Sequence, residues 1–162
     1  PENEALIQKA QKASQCLLQE GYQVGKRIMV WLQGESDGIL HTSKEDYLHM
    51  LRTFWQDVRA ELALDAFLII RFAQFGDFPC FPIMLAQEEF CREEENAVLL
   101  TRITGTFTIE NGLMQGETAP FHYTNKGYDL VGKTAGANAA KWVQGQPFSL
   151  EAECYDLLGT NL

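Results

Sequence analysis

Five consecutive residues, Gln33, Gly34, Glu35, Ser36 and Asp37, bring an amide, two carboxylates and a hydroxyl together directly after the apolar run 28–32. That is far more hydrogen-bonding capacity than a plain turn requires. Plainer uses exist for each: Gln33 and Glu35 can cap the following loop and helix, and Ser36 and Asp37 bond their own backbone readily as turn and capping residues. Ser36 does not read as a nucleophile: "GESDG" matches the letters G-x-S-x-G, but Ser36 and Asp37 here read as turn and capping residues rather than as a strand-to-helix nucleophile elbow. His122 follows Pro120 in a stretch leading into a helix, and helix entry is its plainest role. His41 and His49 lack the i, i+4 spacing of paired metal ligands on a helix and read as surface residues. Cys16, Cys80, Cys91 and Cys154 form no C-x-x-C pair, so zinc and redox-motif chemistry have little support and ordinary thiols are expected. Neither a metal nor a cofactor is expected.

The elements that must position these residues alternate between two periods. Residues 4–20 carry Ala5, Leu6, Ala10, Ala13, Leu17 and Leu18 at helical spacing and stop at Gly21. Residues 26–32 are a short apolar run rich in β-formers. Then "TSKEDYLHMLRTFWQDVRAEL" sets Tyr47, Leu48, Leu51, Phe54, Trp55, Val58 and Leu62 on one helical face, with Thr42 and Glu45 spaced as a capping box. "AFLIIRFA" (66–73) and "AVLLTRI" (97–103) read as buried strands around a helix over 83–95. "TFTIENGLMQGE" predicts a type I′ hairpin at Asn111 and Gly112. A last helix runs from about Thr124 to Val143, with Gly127, Gly132 and Gly136 allowing close approach to a sheet. The tail from Pro147 either packs as a final turn or frays.

Helices alternating with nearly continuous apolar strands predict an α/β fold, a parallel sheet covered on both faces. If the runs 27–32, 66–73 and 97–103 are parallel neighbours, Gln33, the 74–78 loop and the 104–106 turn share the carboxyl edge, where such sheets bind ligands. His122 is expected at the same edge.

A chain of 162 residues, 46% hydrophobic and 22% charged, has material for one core, so residues 1–162 read as a single domain. Its formal charge of −9 leaves no basic cluster to release counterions, which disfavours nucleic acid and anionic membranes as partners. No apolar run approaches the length of about eighteen residues needed for a membrane span. The start at Pro1, without a methionine, reads as a piece of something longer, with compartment and oligomeric state left open.

"VWLQGESDG" resembles the W-x-Q-G-E-S-D block of the sialate O-acetylesterase and acetylxylan esterase group, carbohydrate esterase family six and its relatives, within the SGNH-hydrolase superfamily. "FHYTNKGYDLVGKTAGANAAKWV" stands in place of that family's histidine block, and the resemblance covers residues 26–143. It implies a three-layer, flavodoxin-like α/β/α fold and removal of acetyl groups from a carbohydrate by a serine nucleophile. Carried over, Gln33 is an oxyanion donor, Gly34 lets backbone approach the acyl group, and His122 is the general base.

Two departures follow. The family nucleophile lies in a G-Q-S-N block on the first strand, absent here, so the chain reads as the C-terminal part of the enzyme without its first strand or strands and inactive by itself. Many superfamily members carry an aspartate three residues before the histidine, where this chain has Ala119. Another acid must then orient the imidazole: Glu35, with Glu117 as the weaker candidate. A non-catalytic carbohydrate-binding or scaffold relative is the alternative. A nucleotide-binding flavodoxin-like module is disfavoured, since no glycine-rich phosphate loop follows the first strand.

Overall fold

A strand with nearly continuous apolar residues has two faces to bury, so it must sit between helices. The computed structural model, which describes residues 4–75, 78–116 and 122–155, meets that demand. Its elements in order are α1 (Glu4–Gln19), β1 (Ile28–Trp31), α2 (Glu35–Ile39), α3 (Lys44–Leu62), β2 (Ala66–Ile70), β3 (Gln74–Phe75), β4 (Phe78–Pro79), α4 (Phe81–Glu93), β5 (Ala97–Thr101), a 3-10 turn (Ile103–Thr106) and α5 (Asn125–Val143). The main sheet has the order β1-β2-β5 and both pairings are parallel, with Ile28 opposite Ala66 and Phe67 opposite Ala97. The three apolar runs are therefore the three parallel neighbours expected.

All five residues of central β2 are buried, and its side chains alternate between two cores. Phe67 and Ile69 face α3 and α4, meeting Tyr47, Leu51, Trp55, Val58, Ile83 and Phe90. The Trp55 ring stacks on Phe67 at 5.1 Å between centroids. Ala66, Leu68 and Ile70 face the other way, toward Phe107, Tyr123, Val131 and Ala135, the last two from α5. Helices on both faces make the three-layer α/β arrangement. β1 is an edge strand whose second side pairs with no described strand, and Val30 on it is 55% exposed. α1 buries none of its residues.

Several local expectations are corrected. Ser43, not Thr42, caps α3, accepting from the Asp46 amide at 3.1 Å, because the Thr42 hydroxyl is already committed to Asp37. α4 begins two residues early, since Pro82 in the first turn loses no hydrogen bond there. The I′ hairpin is absent: Gly112 has φ +72°, but Asn111 is not in the positive-φ region that such a turn needs at both central residues. The Asn111 carboxamide instead accepts from the Thr108 and Leu113 amides, leaving only an isolated bridge between Met114 and Tyr123. Of the three helix glycines, only Gly127 makes a close approach, and to a loop rather than the sheet: a Cβ there would lie 2.4 Å from the Leu113 carbonyl, while Gly132 and Gly136 face open space.

The tail packs. Glu151 accepts from the Thr101 hydroxyl and the Arg102 amide, Glu153 pairs with Arg71, and the Tyr155 hydroxyl bonds Gln74 and Gly105. Residues 147–155 thus lie across the carboxyl ends of β2 and β5. No described helix is long and apolar enough to cross a membrane.

Candidate active site

Parallel strands deliver their following residues to one edge, and here that edge collects Gln33 after β1, Arg71 to Gln74 after β2 and the 3-10 turn after β5. Gln33 is held from every side. Its main-chain carbonyl accepts from Gln87 Nε2 at 2.9 Å, and its side-chain Oε1 lies 3.2 Å from the Tyr47 hydroxyl. Its Nε2 donates to Asp37 Oδ2 at 2.8 Å. An amide nitrogen carries two hydrogens. With the oxygen set on Tyr47 and one hydrogen on Asp37, the second N–H of Gln33 remains for another acceptor.

Asp37 is more than a turn residue, because it aims that amide from α2 and is steadied by Thr42 Oγ1 on its other oxygen at 3.2 Å. Ser36, beside it, is exposed. Burial pushes the Tyr47 hydroxyl up to about 12, against hydrogen bonds from Trp31 and Gln87 and with help from the Asp37 and Glu35 charges, so it stays a neutral donor.

Gln87 was not among the sequence candidates, yet it ties three elements together. Fully buried on α4, it accepts from the Phe72 amide at 2.8 Å and donates to the Gln33 carbonyl and the Tyr47 hydroxyl. The one signal for it was its place in the buried stripe of Ile83, Met84, Ala86 and Phe90, where a polar residue must find partners.

Gly34 has φ +155°, and a Cβ on it would fall 2.6 Å from the Phe72 ring and 2.9 Å from Ile83. Its lack of a side chain thus serves packing against the core. Its amide donates to Glu35 Oε2 at 3.0 Å. Glu35, half-buried at the start of α2, also acts on Tyr123: burial first and the Glu35 charge second push that hydroxyl well above its ordinary range.

Tyr123 is 2% exposed, its ring lies 5.1 Å from that of Phe107, and its hydroxyl is buried next to Thr104 with no well-formed hydrogen bond among the described residues. His122 immediately precedes it and is exposed; its carbonyl accepts from the Gln115 amide at 2.8 Å. Phe107 follows the 3-10 turn beyond β5, so the segment carrying His122 belongs to the carboxyl edge and its neighbour feels the Glu35 charge. Thr124, two residues on, caps α5. Glu117 and Ala119 lie outside the described residues.

A charged cluster, also unanticipated, backs this edge. Arg71 is fully buried and pairs with Glu88 and Glu153, and Arg102 joins through Glu88. Against burial, the Arg71 hydrogen bond and charge, with the Tyr155 and Cys154 amides, hold Glu153 below the usual carboxylate range. His41 and His49 are exposed, and no group of three His, Cys, Asp or Glu among the described residues could hold a metal ion.

An aimed amide, a carboxylate and a histidine are groups of the kinds that acyl transfer uses. The family model described as carbohydrate esterase, sialic acid-specific acetylesterase, matches residues 3–141, which takes in every one of these residues. No curated protein matches the chain, and no solved structure does.

Proposed function

Because this chain belongs to the carbohydrate esterase family of sialic acid-specific acetylesterases, we propose that it supplies the acid–base and oxyanion half of a serine-type carbohydrate O-acetylesterase. The observation that carries the reading is the Gln33 amide, fixed by Tyr47 and Asp37 with one N–H uncommitted at the carboxyl edge of the sheet. A donor set in advance, where charge develops in the transition state, is what acyl transfer requires.

In this reading the nucleophilic serine comes from a segment outside this sequence, added as a strand on the free edge of β1. The exposed Val30 and the side of β1 that pairs with no described strand support such an addition. A parallel strand there would end beside Gln33. The serine oxygen attacks the acetyl carbonyl while His122 takes its proton. Negative charge on the carbonyl oxygen meets the Gln33 N–H. His122 then returns the proton to the sugar oxygen, the sugar leaves, and the acetyl-serine is hydrolysed by a water that His122 deprotonates, releasing acetate.

Glu35 orients the imidazole and stabilises its charged form. It holds the Gly34 amide in this structure. Turning toward His122 would satisfy the imidazolium and free that amide to join Gln33 as a second oxyanion donor. The chain alone should therefore give no turnover of aryl acetates, while a longer protein carrying the missing strand should hydrolyse them. A complete gene without a serine block ahead of this segment would make the protein a carbohydrate-binding relative instead.

A further inference from the structure

A cavity of about 390 Å³ opens between α2 and the start of α4. Asp37, Ile39, His41, Phe78, Pro82 and Ile83 line it. Asp37 makes it a neighbour of the reactive edge, since this residue lines the cavity and its carboxylate holds the Gln33 amide. Gly38 lets the two walls close, because a Cβ there would meet Cys80 Sγ at 2.7 Å. In the lining His41 takes φ +53°, a left-handed conformation uncommon for any residue but glycine, and Thr42 N closes the turn on the Asp37 carbonyl. Two large apolar side chains of the lining are left in water, Phe78 at 76% and Ile39 at 48% exposure.

We propose that this cavity is the sugar subsite, that it takes an uncharged pyranose whose apolar face stacks on Phe78, and that it disfavours a sugar bearing a carboxylate. The proposal rests on the esterase reading above only for placing the sugar next to Gln33. Its volume falls within the ~300–1,000 Å³ of small-ligand sites, and mostly apolar walls with a few polar groups are their usual lining. A pyranose ring presents C–H groups on one face and hydroxyls around its rim. Phe78 suits the first, and Asp37 and His41 suit the second.

Charge decides between sugars. The sialic acid of the family's description carries a carboxylate, and recognition of carboxylate is the work of arginine or lysine. Among the described residues this lining has neither; the one carboxylate among them is Asp37, Glu35 stands two residues away, and the whole chain carries −9. An anionic sugar seated here would face like charge with no cation to offset it.

The test is a heteronuclear NMR titration of this chain with methyl β-glucopyranoside and, separately, the methyl glycoside of sialic acid. Neither probe has an ester, so nothing depends on the nucleophile. The neutral glycoside should shift the amides of 37–42 and 78–83, with the anionic one binding at least about fivefold more weakly. Phe78→Ala, at an exposed position that the fold does not need, should weaken the neutral glycoside about fivefold, the scale of one aromatic stacking contact. Ile39→Arg should raise affinity for the sialic acid glycoside. Equal or tighter binding of the anionic probe by the unaltered chain, shifts confined to other surfaces, or no binding would overturn the proposal. Acetate release by the longer protein is read separately: release on aryl acetates with a failed titration removes the subsite alone, and a successful titration without release leaves a sugar site on a non-catalytic protein.

Discussion

Gln33 Nε2 donates to Asp37 Oδ2 at 2.8 Å, so the direction of the amide that faces the carboxyl edge is set by a carboxylate one helical turn further along the chain. In a longer protein that hydrolyses acetyl esters, Gln33→Ala should lower kcat by about a hundredfold, the cost of one oxyanion donor. Asp37→Ala, which leaves the donor but loosens its aim, should cost about tenfold in kcat with little change in KM. Equal losses at both positions would mean that Asp37 touches the reaction directly.

Glu35 is the proposed partner of His122, since it sits at the same edge and its charge acts on Tyr123. Glu35→Gln should lower kcat by at least about tenfold with modest change in KM, and Glu117→Gln should do little. The reverse ranking would transfer the orienting role to Glu117.

Acid should loosen the tail. Glu153 has a folded pKa below its unfolded value of about 4.5, so its contribution to stability is complete above that value and is lost as pH falls through the folded one. Thermal melting should show Tm dropping below about pH 4.5. Glu153→Gln should flatten that drop and cost about 1–3 kcal/mol at neutral pH, less than a fully broken buried pair because Glu88 still holds Arg71.

The glycines divide by what a side chain would meet. Gly34→Ala must push against Phe72 from a strained φ, and Gly127→Ala against the backbone oxygen of Leu113. Both should lower Tm by several degrees, the scale of one or two kcal/mol. Gly132→Ala, facing open space inside α5, should raise stability by about 0.5–1 kcal/mol. Chemical denaturation of the three variants checks the order.

The three apolar strands, α3 and α5 were legible because apolar periodicity is a local property and long elements repeat it many times. α2, five residues long, is too short to show a period, so its helical geometry and the aim of Asp37 were hidden. Gln87 bonds partners 15, 40 and 54 residues away in the chain, and Arg71 meets Glu153 across 82 residues. Such pairings come from topology, and no local pattern announces them. The false hairpin at Asn111 has the opposite cause: the dipeptide fits the turn, but its side chain found two amides that served it better. In the site, the Q-G-E-S-D block was visible as excess polarity, whereas the division of labour within it needed coordinates.

If this edge moves the protons of an ester hydrolysis, His122 is the group that carries them. The measurement is kcat/KM for an aryl acetate by the longer protein with and without His122→Ala, alongside this chain by itself. The chain alone should show no turnover, and the variant a fall of about a thousandfold or more, the scale of removing a general base from a serine hydrolase. Unchanged turnover by His122→Ala, or turnover by the isolated chain that depends on Ser36, would contradict that expectation.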